Sequence, residues 1–249
     1  MNFNIHNLLK FRVEGTNKRY LKYLSQDYSY FKTDDPIDPD IDIIVSDFTP
    51  DNGDCYVVNH KYWIKENYLF CEDSHKLVRW KVCLKDLTER KTTVYFEGGK
   101  FGEVFLRDYI VEPLIGLKLA ARGLSPLHAS GVAINGKGFI FAGNPGVGKT
   151  AMILNLTDSS IFLNDELALL SSDGTIYSFP SRICVYNHNL KSVPVREKMT
   201  LTNKIELKIK HLVYLLSLNY IKLPLRVNPE KFFGKVGKDS YPIHCLVLL

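Results

Sequence analysis

Between residues 41 and 99, apolar positions come in short runs rather than at helical spacing. The runs 41–45, 55–58, 68–71, 77–84 and 93–96 are rich in β-branched and aromatic residues, and turn formers such as Pro50-Asp-Asn-Gly53 and Gly98-Gly99 separate them. This pattern predicts an antiparallel meander. Residues 15 to 40 show no period, and a loop is expected around 34–39, where Asp and Pro cluster. From 101 to 122 the spacing changes. Val104, Phe105, Asp108, Val111, Ile115 and Leu119 fit a largely buried helix that stops before Gly123, with a kink at Pro113.

The second half alternates strand and turn signals. Residues 127–134 and 138–142 form two apolar arms around Asn135-Gly136, the signature of a β-hairpin. A glycine-rich loop follows, then a short helix near 150–156. Strands are expected at 161–163, 167–170 and 176–185, with a turn at Ser172-Asp-Gly174. A Lys-rich polar stretch over 190–210 leads to an apolar helix at 211–218. The final apolar run, 243–249, needs a sheet to cover it or further chain to continue it. The fold class expected is α/β with α+β character. It comprises a β-rich N-terminal domain over 1–105 and a nucleotide domain over 106–249.

Composition adds little against this picture. The 249 residues are 45% hydrophobic and 24% charged, near the average for a globular chain, so wholesale disorder is excluded. The net charge of +5 suits an anionic ligand without demanding nucleic acid, and no long basic block is present. The five cysteines are odd in number and lack a C-x-x-C pair, so they read as reduced thiols rather than a disulfide framework or zinc site. With no signal-like N-terminus and no run of about 18 apolar residues, the expectation is a cytoplasmic protein with no membrane partner.

The chemistry concentrates in Gly143-Asn144-Pro145-Gly146-Val147-Gly148-Lys149-Thr150. In a G-x4-G-K-T loop the glycines let successive backbone N–H groups turn inward on phosphate oxygens, the lysine reaches the outer phosphates, and the threonine hydroxyl meets Mg²⁺. The pattern arises by chance in roughly 1% of chains of this length. Here an apolar strand precedes it and a helix-compatible run follows, as the motif requires. Phosphoryl transfer also needs a carboxylate for the metal or for the attacking hydroxyl. Asp165-Glu166 is the candidate, expected on a strand beside the loop's own strand. His128 would return, through the hairpin, to the same end of the sheet.

Together, Leu127-His128-Ala-Ser-Gly-Val-Ala-Ile134, the loop, Phe162-Leu-Asn-Asp165-Glu166 and Tyr177-Ser-Phe-Pro180 resemble the HPr kinase/phosphorylase family. The resemblance is closer to its short relatives, which include serine kinases and kinases of lasso-peptide precursors. It covers about residues 124–186 and extends to 225–233. It implies a nucleotide domain similar to that of phosphoenolpyruvate carboxykinase, with ATP and Mg²⁺ as cofactors. The acceptor implied is a serine hydroxyl of a peptide, protein or small molecule, and relatives often assemble as homo-oligomers. It assigns His128, Lys149, Asp165 and Glu166 to catalysis, with Asp165 as general base, and Thr150, Asp165 and Glu166 to the metal. Glu166 departs from the second aspartate of the family. The glycine signature tied to phosphorylase activity is absent, so kinase activity alone is expected. A nucleotide-binding regulatory module or an ATPase remains the alternative, and the missing Asn-Lys-x-Asp signature speaks against a GTPase.

Overall fold

The computed structural model describes residues 1–75, 78–187, 197–218 and 220–249. It is mixed α/β, with several sheets and few helices. The chain divides into two compact units, Met1–Arg122 and Gly123–Leu249. The helical segment after residue 101 therefore belongs to the first unit, and the division falls later in the chain than the 105/106 boundary expected from composition.

The first unit is built on a nine-stranded sheet. Its strands are β1 (Asn2–Ile5), β2 (Leu9–Gly15), β3 (Lys32–Thr33), β4 (Ile41–Val45), β5 (Tyr56–Val58), β6 (Tyr62–Lys65), β7 (Tyr68–His75), β8 (Val78–Lys85) and β9 (Thr92–Gly98), in the order β3-β1-β2-β4-β9-β8-β7-β6-β5. Strict alternation in β1 and β2 buries Phe3, Ile5, Leu9, Phe11 and Val13. The meander holds from β5 to β9, but β4 lies parallel between β2 and β9 instead of continuing it. The cause is α1 (Lys18–Asp27), which lies in the stretch where no element was expected. A helical crossover after β2 returns the chain parallel to it. Asn17 caps α1 by accepting from the Arg19 N–H, and Tyr20 and Leu24 are buried. Leu77, part of the fourth expected run, lies outside the described residues.

The expected helix after 101 is present as α2 (Gly102–Phe105) and α3 (Glu112–Ala120), joined by a π-helical turn, Leu106–Val111. The Glu112 N–H bonds to the Arg107 carbonyl five residues back. This wide turn accommodates Pro113, which has no N–H and whose ring clashes with a carbonyl four residues earlier in a regular helix.

The second unit carries β10 (Leu124–Ile134), β11 (Lys137–Ala142), α4 (Lys149–Leu154), β12 (Ile161–Asn164), β13 (Leu167–Ser171), β14 (Thr175–Tyr177), β15 (Ile183–Val185), α5 (Leu201–Leu216), β16 (Leu225–Val227), α6 (Glu230–Phe233) and β17 (Ser240–Leu248). Strand order is β11-β17-β14-β13-β10-β12, and β10 also pairs with β11, which closes the sheet on itself. The long β10 makes this possible. Residues 124–128 pair with β13, whereas 129–134 run between β11 and β12. Only β11 and β17 are parallel among these pairs; the rest are antiparallel.

β12 is thus separated from β11 by β10, contrary to the expectation that the two are neighbours. Both run antiparallel to β10, so their C-terminal ends still reach the same edge. Small side chains, Ala129, Ala142 and Ala168, pack with Ile140, Leu163 and Ile176 in one core cluster. Val132, Phe141 and Phe162 pack with Ile153, Leu207 and Phe233 in the other. The strand expected over 176–185 is broken at 178–182, between β14 and β15. The apolar helix expected at 211–218 begins earlier, at Leu201, inside the Lys-rich stretch whose residues 190–196 lie outside the described ones.

Candidate active site

The loop from Gly143 to Thr150 leaves the end of β11 and enters α4. Its backbone takes conformations open to glycine: φ is +155° at Gly143 and +104° at Gly148. A Cβ at Gly143 would meet the Leu249 carbonyl oxygen at 2.8 Å, so the close approach adds to the conformational requirement. Asn144, Pro145, Gly146 and Val147 form the exposed crest. Lys149 is buried and folds back under the loop, its Nζ donating to the carbonyls of Gly143 at 2.8 Å and Asn144 at 3.1 Å. Burial lowers its pKa, against the pull of Asp165 and Glu166.

Asp165 lies just past β12 and is 3% exposed. Its Oδ1 accepts from the Thr150 hydroxyl at 2.9 Å and from the Ser130 hydroxyl at 2.9 Å. The Ser130 hydroxyl also lies 3.1 Å from the Asp165 carbonyl. Desolvation, reinforced by the neighbouring Glu166, pushes the carboxyl up to about 7, while the two hydroxyls and Lys149 oppose that rise. A buried carboxyl poised near neutrality and bonded to the Thr150 hydroxyl is a candidate general base.

His128 is exposed on β10 and its Nδ1 lies 3.1 Å from the Glu166 carbonyl. A carbonyl only accepts, so Nδ1 is the donor in this contact. The same carbonyl accepts from the Ala129 N–H at 3.3 Å. The structure therefore brings Lys149, Thr150 and Asp165 into one hydrogen-bonded group. Glu166 is close enough to act on Asp165 electrostatically, and His128 is tied to the Glu166 backbone.

Two residues without a role assigned from sequence support this group. Ser130 stands two residues from His128 on β10, hence on the same face of the strand. Asn164 is fully buried, donates to the Ala129 carbonyl at 2.6 Å, and occupies space that Gly131 leaves open. A Cβ on Gly131 would meet the Asn164 Oδ1 at 2.5 Å. The available signal was Ser130's position within the quoted 127–134 segment; its partner 35 residues away was not readable.

Thr150 and Asp165, hydrogen-bonded to each other, carry hard oxygen atoms of the kind that Mg²⁺ takes. No protein-family model matches the chain, and no curated protein matches it. Among the described residues, no helix is long and apolar enough to cross a membrane.

Proposed function

We propose that the chain is an ATP-dependent kinase that transfers the γ-phosphoryl group to a serine hydroxyl of a peptide, protein or small molecule. In this reading its second unit is a P-loop nucleotide domain of the HPr kinase and phosphoenolpyruvate carboxykinase type. The observation that carries the reading is Asp165, a buried carboxyl held near neutrality and hydrogen-bonded to the hydroxyl of the P-loop threonine.

The loop amides and Lys149 bind the donor phosphates, with Lys149 exchanging its contacts to the Gly143 and Asn144 carbonyls for phosphate oxygens. Thr150 and Asp165, with Glu166, would hold Mg²⁺, which would supply charge neutralisation at the phosphates. Asp165 takes the proton from the serine hydroxyl as its oxygen forms the new bond to phosphorus. The bond to the bridging oxygen breaks, and ADP leaves. His128, held through Nδ1 to the Glu166 carbonyl, is placed at the same edge for the acceptor. The reaction needs position and charge rather than a covalent enzyme intermediate.

The test uses γ-labelled ATP with free serine, serine peptides and HPr as acceptors. Label is expected on one acceptor class, and Asp165→Asn should abolish transfer while retaining ATP binding. Transfer that survives in Asp165→Asn would remove Asp165 as the base. Free phosphate as the product with every acceptor would make the protein an ATPase instead.

A further inference from the structure

β10 alternates regularly over 129–134, since its pairing with β11 keeps one register from Ala129 opposite Ala142 to Ile134 opposite Lys137. Ala129, Gly131 and Ala133 therefore share one face, and Ser130 and Val132 share the other. β12, on the other side of β10, does not keep register. Gly131 pairs with Asn164 but Val132 pairs with Phe162, so Leu163 is an extra residue on β12. Such a β-bulge bends a strand and re-aims the side chains beyond it.

The two cores show the effect. Phe162 packs with Val132 in one, and Leu163 packs with Ala129 and Ala133 in the other. Strict alternation would return Asn164 to the face of Phe162 and send Asp165 into the alanine-lined core beside Leu163. Instead Asn164 stays on the face of Leu163, where its Oδ1 lies 2.5 Å from the position a Cβ on Gly131 would take. Asp165 then falls on the face of Ser130 and Val132, and its Oδ1 meets the Ser130 and Thr150 hydroxyls there.

We propose that Asn164 is a positioning residue: its amide holds the bulge of β12 and so turns Asp165 onto the face of the glycine loop. Its Nδ2 donates to the Ala129 carbonyl at 2.6 Å, tying the bulge to β10. The Oδ1 of the same amide is buried with no hydrogen-bond partner among the described residues. An unpaired buried acceptor is costly, and an apolar side chain of similar volume would avoid that cost. Packing therefore does not account for an amide at this position, whereas the donor to Ala129 does. The effect of Asn164 on the direction of Asp165 is independent of any activity; its effect on catalysis rests on the proposed kinase reading.

The register on either side, Gly131 opposite Asn164 and His128 opposite Leu167, sets Ser130 opposite Asp165. The Ala129 N–H bonds to the Glu166 carbonyl, so the 130–165 pair is of the closely spaced, non-hydrogen-bonded kind that a disulfide can bridge. The full chain carrying Ser130→Cys and Asp165→Cys is equilibrated in glutathione buffer, and the cross-link is identified by peptide mapping. It is expected to form with Asn164 in place and to be weaker by about tenfold or more with Asn164→Leu. With Ser130 and Asp165 intact, Asn164→Leu should lower kcat for label transfer by about a hundredfold and keep the KM for ATP within about twofold, as for a misplaced catalytic group beside an intact loop. Circular dichroism reports folding; where Asn164→Leu does not fold, Asn164→Ala takes its place. An equal cross-link with and without Asn164, or a KM that rises as much as kcat falls, overturns the proposal. A wild type that transfers label to no acceptor overturns the kinase reading alone, and the cross-link then decides the role of Asn164.

Discussion

Each unit of the chain buries an aspartate, and the two are buried on different terms. In the first unit Asp27 is fully buried against Arg107 at 3.1 Å, and Arg107, itself fully buried, also meets Asp108 at 2.6 Å and Glu112 at 2.5 Å. The charge is met by charge. In the second unit Asp165 is almost as buried, yet its hydrogen bonds come from two neutral hydroxyls, while Lys149 is turned to the loop carbonyls. A buried acid with a cationic partner is a structural element; in the proposed kinase, one left near neutrality beside the glycine loop is held ready for a proton or a metal.

The comparison breaks most visibly at Arg107. Arg107→Ala leaves three carboxylates around a cavity, and removal of one partner from a buried ion cluster costs about 3–5 kcal/mol. Equilibrium urea unfolding measures it. A loss below about 1 kcal/mol would mean that the cluster is not what closes the first unit.

Asp165 should respond with the opposite sign. Its folded pKa is about 7 against the ordinary 3.8, so between those values the folded chain holds a proton that the unfolded chain has released. Stability therefore falls as pH rises through that window and is flat above it. Asp165→Asn keeps an oxygen for both hydroxyls and removes the titration. It should make the protein about 4 kcal/mol more stable at pH 8, with the gain vanishing below pH 4, even as it abolishes the proposed transfer. Unfolding curves at several pH values decide this; a variant that is less stable than the wild type at pH 8 contradicts the burial argument.

The third prediction concerns the loop. Gly148, at φ +104°, precedes α4, and a Cβ there meets nothing within 4 Å, so only backbone strain opposes Gly148→Ala. That strain is about 1–2 kcal/mol. Fluorescent-nucleotide titration should show affinity reduced by about tenfold, with a comparable loss of stability in denaturant. Unchanged affinity would mean that the loop's observed shape is not the binding shape.

These effects also show what the sequence could and could not convey. The loop was legible because its constraint is local: glycines at fixed offsets encode the positive φ values at Gly143, Gly146 and Gly148. The meander was legible from short runs of β-branched and aromatic residues set apart by turn formers. Strand neighbours were not, since nothing in residues 161–164 says whether they pair with β11 or β10. The placement of β4 followed from a helix, α1, whose polar composition hid its two buried anchors, Tyr20 and Leu24. Asp165 was found by its distance from the loop, but its hydroxyl partner Ser130 depended on how β10 bends, which emerges only when β11, β12 and β13 are all in place.

Ser130 gives the smallest effect and the sharpest test of the contrast between the two aspartates. Its hydroxyl favours the charged form of Asp165, opposing the desolvation that raises the pKa. Ser130→Ala removes that help, so the carboxyl should hold its proton to a still higher pH. The cost is about 1 kcal/mol where Asp165 is ionised, at pH 8, and smaller at pH 5, where the folded protein is already protonated. A Ser130→Thr variant retains the donor and should recover the wild-type pH dependence. Equal losses at both pH values would assign Ser130 to packing alone. Asp165 would then owe its poise to burial and Glu166, with Thr150 as the single hydroxyl that matters to its charge.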